Sequence, residues 1–384
     1  MHRSTERILT THVGSLARPI ELLEIMRDKE AGKPYDHAEF DRQVHDAVAD
    51  RVHRQVECGI DVVTDGEMGK VSFLTYVKDR LGGFTEDDGD PILPASWRKE
   101  IEDFPGFYNE YFKKYTGGVA PLKQLVCTGP VSYVGQEQLE TDIANLREAL
   151  VDAPALEAFL PSSGPSGFGR NEHYESHGEY LAAVGEAMRL EYLAIVDAGF
   201  VLQIDDPWLM EILSDPTTDD DTKALGAREH VDVLNHSLRG IPRDSIRHHT
   251  CYGLNHGPRL TDIPLDRAIP WMMKIDAGAY SFEVANPRHQ HEWRAWEDVD
   301  LPDGSCLIPG FLGHATNYVE HPLLIADTIE LYAGIVGRER VIAGADCGFS
   351  SRATFTPEVH PDVVWAKFDA LVEGARIATT RLWG

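Results

Sequence analysis

Cysteine is scarce in this chain, with five in 384 residues. An odd, low count argues against a disulfide framework and fits a reduced, cytoplasmic setting. Long apolar runs are missing as well. No stretch approaches the roughly 18 residues of a membrane span, and the N-terminus MHRSTERILTTHVGSL lacks the apolar segment of a signal peptide. Positive charge is in deficit, with 36 Lys and Arg against 63 Asp and Glu and a net charge of −27. Such a surface repels nucleic acid and anionic membrane, which sets both aside as partners, and it slows polyanionic ligands. Neither an internal repeat nor a low-complexity tract is present, and no linker divides the chain. Hydrophobic residues make up 42% of the sequence, enough for one large barrel or two ordinary domains.

Short β-branched or apolar runs recur, and most end in a polar or glycine-rich cluster. They are RILTTHVGS from residue 7, DVVTDGE from 61, KQLVCTGPV from 123, FVLQIDDP from 200, SIRHHTCYG from 245, AYSFEVAN from 279, CLIPGFLGHATN from 306 and RVIAGADCG from 340. Between them, FDRQVHDAVADRVHRQVECG, YLAAVGEAMRLEYLAIVDAGF and HPLLIADTIELYAGIVG carry apolar residues at helical spacing and end in or near glycine. Strand, helix, strand eight times over predicts an α/β fold of the (β/α)8 TIM-barrel type, one catalytic barrel over residues 1–384. A doubly wound open sheet shares the alternation. The count of eight and the polar residues at C-terminal strand ends favour the barrel. Loop insertions are expected after strands 2 and 3, at about 83–120 and 150–178. Each reads as a lid or binding loop, or as decoration or a contact in a homo-oligomer.

The run HHTCYG at 248–253 places a histidine and a cysteine two residues apart. In a strand, residues i and i+2 share a face, so His249 and Cys251 present an imidazole and a thiol together while His248 turns away. Two later strand ends supply Glu283 in SFEVAN and Cys347 in ADCG. One His, two Cys and one carboxylate suit tetrahedral Zn2+, whereas Ca2+ or Mg2+ would want oxygen throughout. Each residue alone has a plainer reading: a buried packing cysteine for Cys347, as for Cys58, Cys127 and Cys306, a hydrogen-bonded histidine for His249, an ion pair for Glu283. Spacing leaves both readings open.

HTCYG, FEVAN and ADCG, in that order after DGE and QIDDP, resemble the catalytic C-terminal barrel of cobalamin-independent methionine synthase. That family includes epoxyalkane:coenzyme M transferase and is related by fold to uroporphyrinogen decarboxylase. The resemblance runs from THVGS at 11–15 to DCG at 346–348. It implies zinc as cofactor, held by His249, Cys251, Glu283 and Cys347. It also implies that Glu67 and Asp205 hold the ammonium group of homocysteine, and that Gly14 and Ser15 contact its carboxylate. His314 in LGHATN falls where the family has a histidine that protonates the leaving group. Asp206 stands where the family has Glu, and His12 reads as a packing histidine.

A free thiol has a pKa of about 8.5, and zinc deprotonates a bound thiol outright. Two cysteine thiolates and a carboxylate over-balance the metal's charge, which suits a sulfur nucleophile better than a hydrolytic water. The expected activity is therefore methyl transfer to a homocysteine-like thiol from methyltetrahydrofolate or another donor. Alkylation of a different thiol, in the manner of coenzyme M transferase, is the alternative, and a non-catalytic barrel with a structural zinc is the third reading. The donor is the open point. Full-length methionine synthases carry a second, N-terminal barrel not expected here, and the position of their folate-stacking tryptophan aligns with Gln136 in TGPVSYVGQE. Tyr133 and Trp208 are the aromatic substitutes at hand. Asn286 and Arg288, and the cluster Arg170, Asn171, Glu172 and Tyr174, are further candidates for substrate contact.

Overall fold

The computed structural model describes every residue except 88, 90–92, 116–117, 121–122, 167 and 254–256, so parts of both expected insertions lie outside the described residues. The strands are β1 (Leu9–Thr10), β2 (Val62–Val63), β3 (Leu81–Asp87), β4 (Gln124–Tyr133), β5 (Glu157–Ser163), β6 (Arg170–Asn171), β7 (Val201–Asp206), β8 (Ile246–Thr250), β9 (Ala279–Glu283), β10 (Cys306–Gly310) and β11 (Ile342–Ala343). Six of them form one curled sheet in the order β10-β9-β8-β7-β5-β2, with every pairing parallel. β1 and β11 form a separate parallel pair. Single parallel bridges link Thr11 to Val62, Leu307 to Val341 and Gly310 to Gly344.

Helices fill the crossovers where the apolar period is 3.6. FDRQVHDAVADRVHRQVEC lies in helix His37–Cys58, which Asp36 caps by accepting the Glu39 N–H and Gly59 ends at a φ of 88°. The second periodic segment is helix His177–Asp197, capped by Ser176, and the third is Pro322–Val336, with proline in its first turn. Each buries one stripe, such as Leu181, Val184, Met188 and Ile195. A fully buried side chain of this size contributes about 1.5–3 kcal/mol. Among the described residues no helix is long and apolar enough to cross a membrane.

One strand assignment needs correcting. KQLVCTGPV does not join the parallel sheet: its strand, β4, pairs antiparallel with β3 and parallel with β6 in a sheet of its own. The parallel sheet takes β5, EAFLPSS, between β2 and β7, from a segment expected to be a loop. Pro161 and two serines hide β5 in the sequence, yet all but its first residue are buried. Its polar atoms find partners inside the fold. Ser162 donates to Glu191 at 2.8 Å, and the Tyr192 hydroxyl and Lys70 ammonium donate to the Ser163 and Pro161 carbonyls, each at 2.6 Å. β4 shows partly exposed, alternating burial, the mark of a sheet with one wet face.

Within the curl, Val62, Phe159 and Val201 pack together, and Arg247 lies over the Phe159 ring at 3.9 Å. Gly310 at the end of β10 permits the close approach of the turn after β11: a Cβ there would sit 2.4 Å from the Asp346 nitrogen. That approach carries Asp346 and Cys347 to the C-terminal ends of the neighbouring strands.

Candidate metal centre

His249 and Cys251 leave the end of β8 on the same side, as the i, i+2 spacing requires, and Cys347 meets them from the turn after β11. One ligand atom from each of the three lies within 4.8 Å of the others, and all three side chains are buried. The two sulfurs are 3.5 Å apart. Tetrahedral zinc with Zn–S bonds of about 2.3 Å would hold two sulfurs about 3.8 Å apart. His249 accepts or donates at Nδ1 with the Ser281 hydroxyl at 3.1 Å, while Nε2 is buried without a hydrogen-bond partner. Burial, then Arg247, lowers its pKa to about 3, so the imidazole is neutral and competent as a ligand. The neighbouring thiol of Cys251 and burial hold the Cys347 thiol well above its ordinary value. A buried orphan nitrogen converging with two free thiols is a donor set that fits Zn2+.

Glu283 ends β9 nearby but belongs to a second cluster, with His314 and Asp346. Arg259 donates to its Oε1 at 3.2 Å and Asn286 to its Oε2 at 3.1 Å. Burial would raise the Glu283 pKa, but the charges of Arg259, His314 and His289 and the bond from Asn286 together outweigh it and bring the carboxyl down to about 2. Asp346 fixes the loop beyond Glu283 by accepting the N–H groups of Val284, Ala285 and Asn286 at 2.7, 2.9 and 2.8 Å. The structure thus brings three of the four expected ligands together and holds the fourth on an arginine. Sequence patterning contained no sign of Arg259, whose backbone is left-handed at a φ of 57° and whose side chain is buried.

The other expected contact residues gather around β1, β2 and β7. Glu67 is buried with a φ of 58°, and its Oε2 has no hydrogen-bond partner. Gly14 makes room for it: at a φ of 139°, a Cβ there would lie 3.0 Å from Glu67 Oε1. Asp205 is buried and accepts from Gln203 at 2.7 Å. Burial raises both carboxyls, and the charge of Glu67 pushes Asp205 further up. Ser15 reaches Ser351 at 3.2 Å and lies against Gly348, next to Cys347. His12 packs as expected, bonded to Gln55 at 2.8 Å, and burial lowers it to about 4. Asp206 is committed to the interior, bonding His230 at 2.7 Å and His248 at 2.9 Å.

A cleft of about 250 Å³ opens beside Cys251, lined by Trp97, Trp208, Phe168, Glu211, Gly253 and Arg352 among others. Gly253 donates its N–H to the Cys251 sulfur at 3.2 Å, and the Trp97 indole stands 3.6 Å from where a Gly253 Cβ would be. The cleft therefore abuts the sulfur centre. Of the two aromatic substitutes, Trp208 lines it, meeting Phe168 edge-on at 5.5 Å. Tyr133 does not line it: its hydroxyl donates to buried Glu191 at 2.8 Å. Gln136 bonds back to the Tyr133 carbonyl at 3.3 Å. Arg170 pairs with Glu172 on the surface, and Asn171 and Tyr174 brace one another and Val131. Arg288 is exposed. Trp97 and Arg352 escaped sequence reasoning because nothing in their local pattern marks them.

No family model matches the chain. A methionine synthase of Sulfolobus acidocaldarius is 25% identical over 248 residues, which is 64% of this chain and 61% of that protein. The methionine synthase of Saccharolobus solfataricus is 23% identical over 379 residues, covering 97% of this chain and 95% of its own. The chain is similar to the methionine synthases. In fold it is similar to a B12-independent methionine synthase from Shewanella sp. W3-18-1, solved with selenomethionine, at a TM-score of 0.74 and 20% identity over 98% of this chain and 99% of that one. The likeness read from HTCYG, FEVAN and ADCG is borne out in the names of these relatives.

Proposed function

We propose that the protein is a zinc-dependent methyltransferase that makes methionine from homocysteine, built as one closed (β/α)8 barrel over residues 1–384 and working in the reducing cytoplasm. The closed barrel is supported by the bridges that run from β1 to β2 and from β10 to β11. The observation that carries the activity is the partnerless Nε2 of His249 set among two free thiols at the strand ends.

Zinc, when bound by His249, Cys251, Cys347 and Glu283, would supply a thiolate at neutral pH from a thiol that is otherwise mostly protonated. The chain's own residues do the rest. Glu67 and Asp205 receive the ammonium group, whose positive charge relieves two buried carboxyls that repel each other. Gly14 and Ser15 hold the amino acid carboxylate beside Cys347. The aromatic walls of the cleft exclude water and receive the methyl donor. His314 delivers a proton to the group that departs once its methyl is lost. Two buried acids favour an ammonium-bearing thiol over a sulfonate thiol, which would want a cation in their place.

The test is elemental analysis together with zinc-edge X-ray absorption, with and without homocysteine. One zinc per chain that gains a sulfur neighbour and loses an oxygen neighbour on adding homocysteine supports the reading. A zinc centre indifferent to homocysteine refutes the acceptor, and a protein that takes up no zinc refutes the whole.

A further inference from the structure

Glu283 and Arg259 pose a problem that the proposed activity does not answer. A carboxylate expected to hold a metal is engaged on both oxygens by donors of this chain, Arg259 on one and Asn286 on the other. The arginine is not there by chance of surface flexibility. Its Nε donates to Asp262 at 2.8 Å, Asp262 also accepts from His289 at 3.1 Å, and His289 donates to Glu292 at 2.8 Å. Tyr252, the residue after Cys251, stacks on His289 with centroids 4.1 Å apart. Leu260, the residue after Arg259, donates its N–H to Glu100 of helix Ala95–Asp103 at 2.6 Å. A buried guanidinium held this firmly is a fixed seat for a carboxylate.

We infer that Arg259 is a positioning residue that receives the Glu283 carboxylate when a substrate thiol takes its place at the metal. The inference rests on the metal reading above and adds to it. Glu283 then has two seats at one strand end: the position completing His249, Cys251 and Cys347, and the position on Arg259 and Asn286. In the exchange the incoming thiol gives its proton to the buffer and its sulfur takes the fourth position. The Glu283 carboxylate leaves that position ionised and closes on the guanidinium, so charge balances without oxidant or co-reactant. Burying a carboxylate without a partner would oppose the exchange, and Arg259 removes that cost.

Two consequences of opposite sign follow for Arg259→Met. Zinc affinity in competition with a chelator should rise about tenfold, since one charge-assisted bond no longer draws Glu283 away. The homocysteine concentration needed to exchange oxygen for sulfur in the zinc-edge spectrum should rise by a similar factor. Arg259→Lys should restore most of both, and Asn286→Ala, which leaves the arginine in place, should shift both in the same directions but less. A merely structural role would not tighten zinc while weakening exchange. If wild type exchanges and Arg259→Met, shown folded by circular dichroism, has unchanged zinc affinity and unchanged exchange, this inference is overturned alone. If Arg259→Met does not fold, Asn286→Ala decides by the same two readings. Wild-type zinc that never gains a sulfur overturns the acceptor reading and this inference together.

Discussion

Replacing Glu67 by glutamine should make the protein more stable and its acceptor binding worse. Glu67 and Asp205 are both buried, both are raised by burial, and Glu67 Oε2 has no hydrogen-bond partner. An unsatisfied buried polar atom costs about 1–3 kcal/mol, more when charged. The change Glu67→Gln removes one of the two repelling charges, so we take about 1–2 kcal/mol as the gain. Unfolding entropy of roughly 2.1 cal/mol/K per residue over 384 residues makes this an upward shift of about 1–3 °C in Tm. The gain should depend on pH. Both carboxyls bind protons more tightly in the folded than in the unfolded state. Their contribution is therefore present below the ordinary carboxylate range and is lost as pH rises through the raised folded values. The difference between variant and wild type should widen over that window. Against this, a hydrogen bond to a charged group is worth about 1.5–3 kcal/mol, so homocysteine should bind the zinc-loaded variant about 10- to 150-fold more weakly. Titration calorimetry with homocysteine and with a thiol lacking the amino group separates the two effects, since only the first should weaken. A variant that binds homocysteine as wild type does, or that melts lower, would refute the assignment of these acids to the ammonium group.

Three further outcomes are expected. Cys347→Ser should lose zinc and turnover while circular dichroism stays unchanged, because Cys347 caps the strand ends and does not build the core; elemental analysis and an activity assay check this. Gly310→Ala should cost about 1–3 kcal/mol or more, because the added methyl meets the Asp346 backbone and not a flexible side chain; urea denaturation reads it. His289 is raised to about 9: burial opposes this, but bonds to Asp262 and Glu292 prevail. With an unfolded value near 6.5 this is about 3 kcal/mol, present below that pH and lost as pH rises through about 9. His289→Gln should flatten the stability profile across that window, and an unchanged slope would show that the histidine is not charged in the fold.

Much of this was legible from periodicity and strand ends. The H-x-C pair needs only the two-residue repeat of a strand to place His249 beside Cys251, and Cys347 follows from its own strand. The third strand was not legible. β4 has a β-rich, alternating sequence and reads as a strand wherever it lies, whereas β5 is interrupted by Pro161 and two serines whose partners, Lys70, Glu191 and Tyr192, come from distant elements. Local pattern reports propensity, and these buried polar contacts are tertiary. Arg259 was invisible for a similar reason. Its role depends on a left-handed backbone and on Asp262 fixing its direction, and neither leaves a periodic trace. Trp97 lies in the first insertion, where only the third dimension brings it to Gly253.

The side sheet of β3, β4 and β6 and the helices inserted between β3 and β4 are attached to the parallel sheet without contributing a strand to it. His249, Cys251, Glu283 and Cys347 come from the parallel framework, while Trp97 on the cleft wall comes from the attachment. Trp97 can therefore be exchanged without altering a strand that carries His249, Cys251, Glu283 or Cys347. On the proposed activity, that side of the wall is the place where a change of alkyl donor is made without rebuilding the ligand-bearing strands.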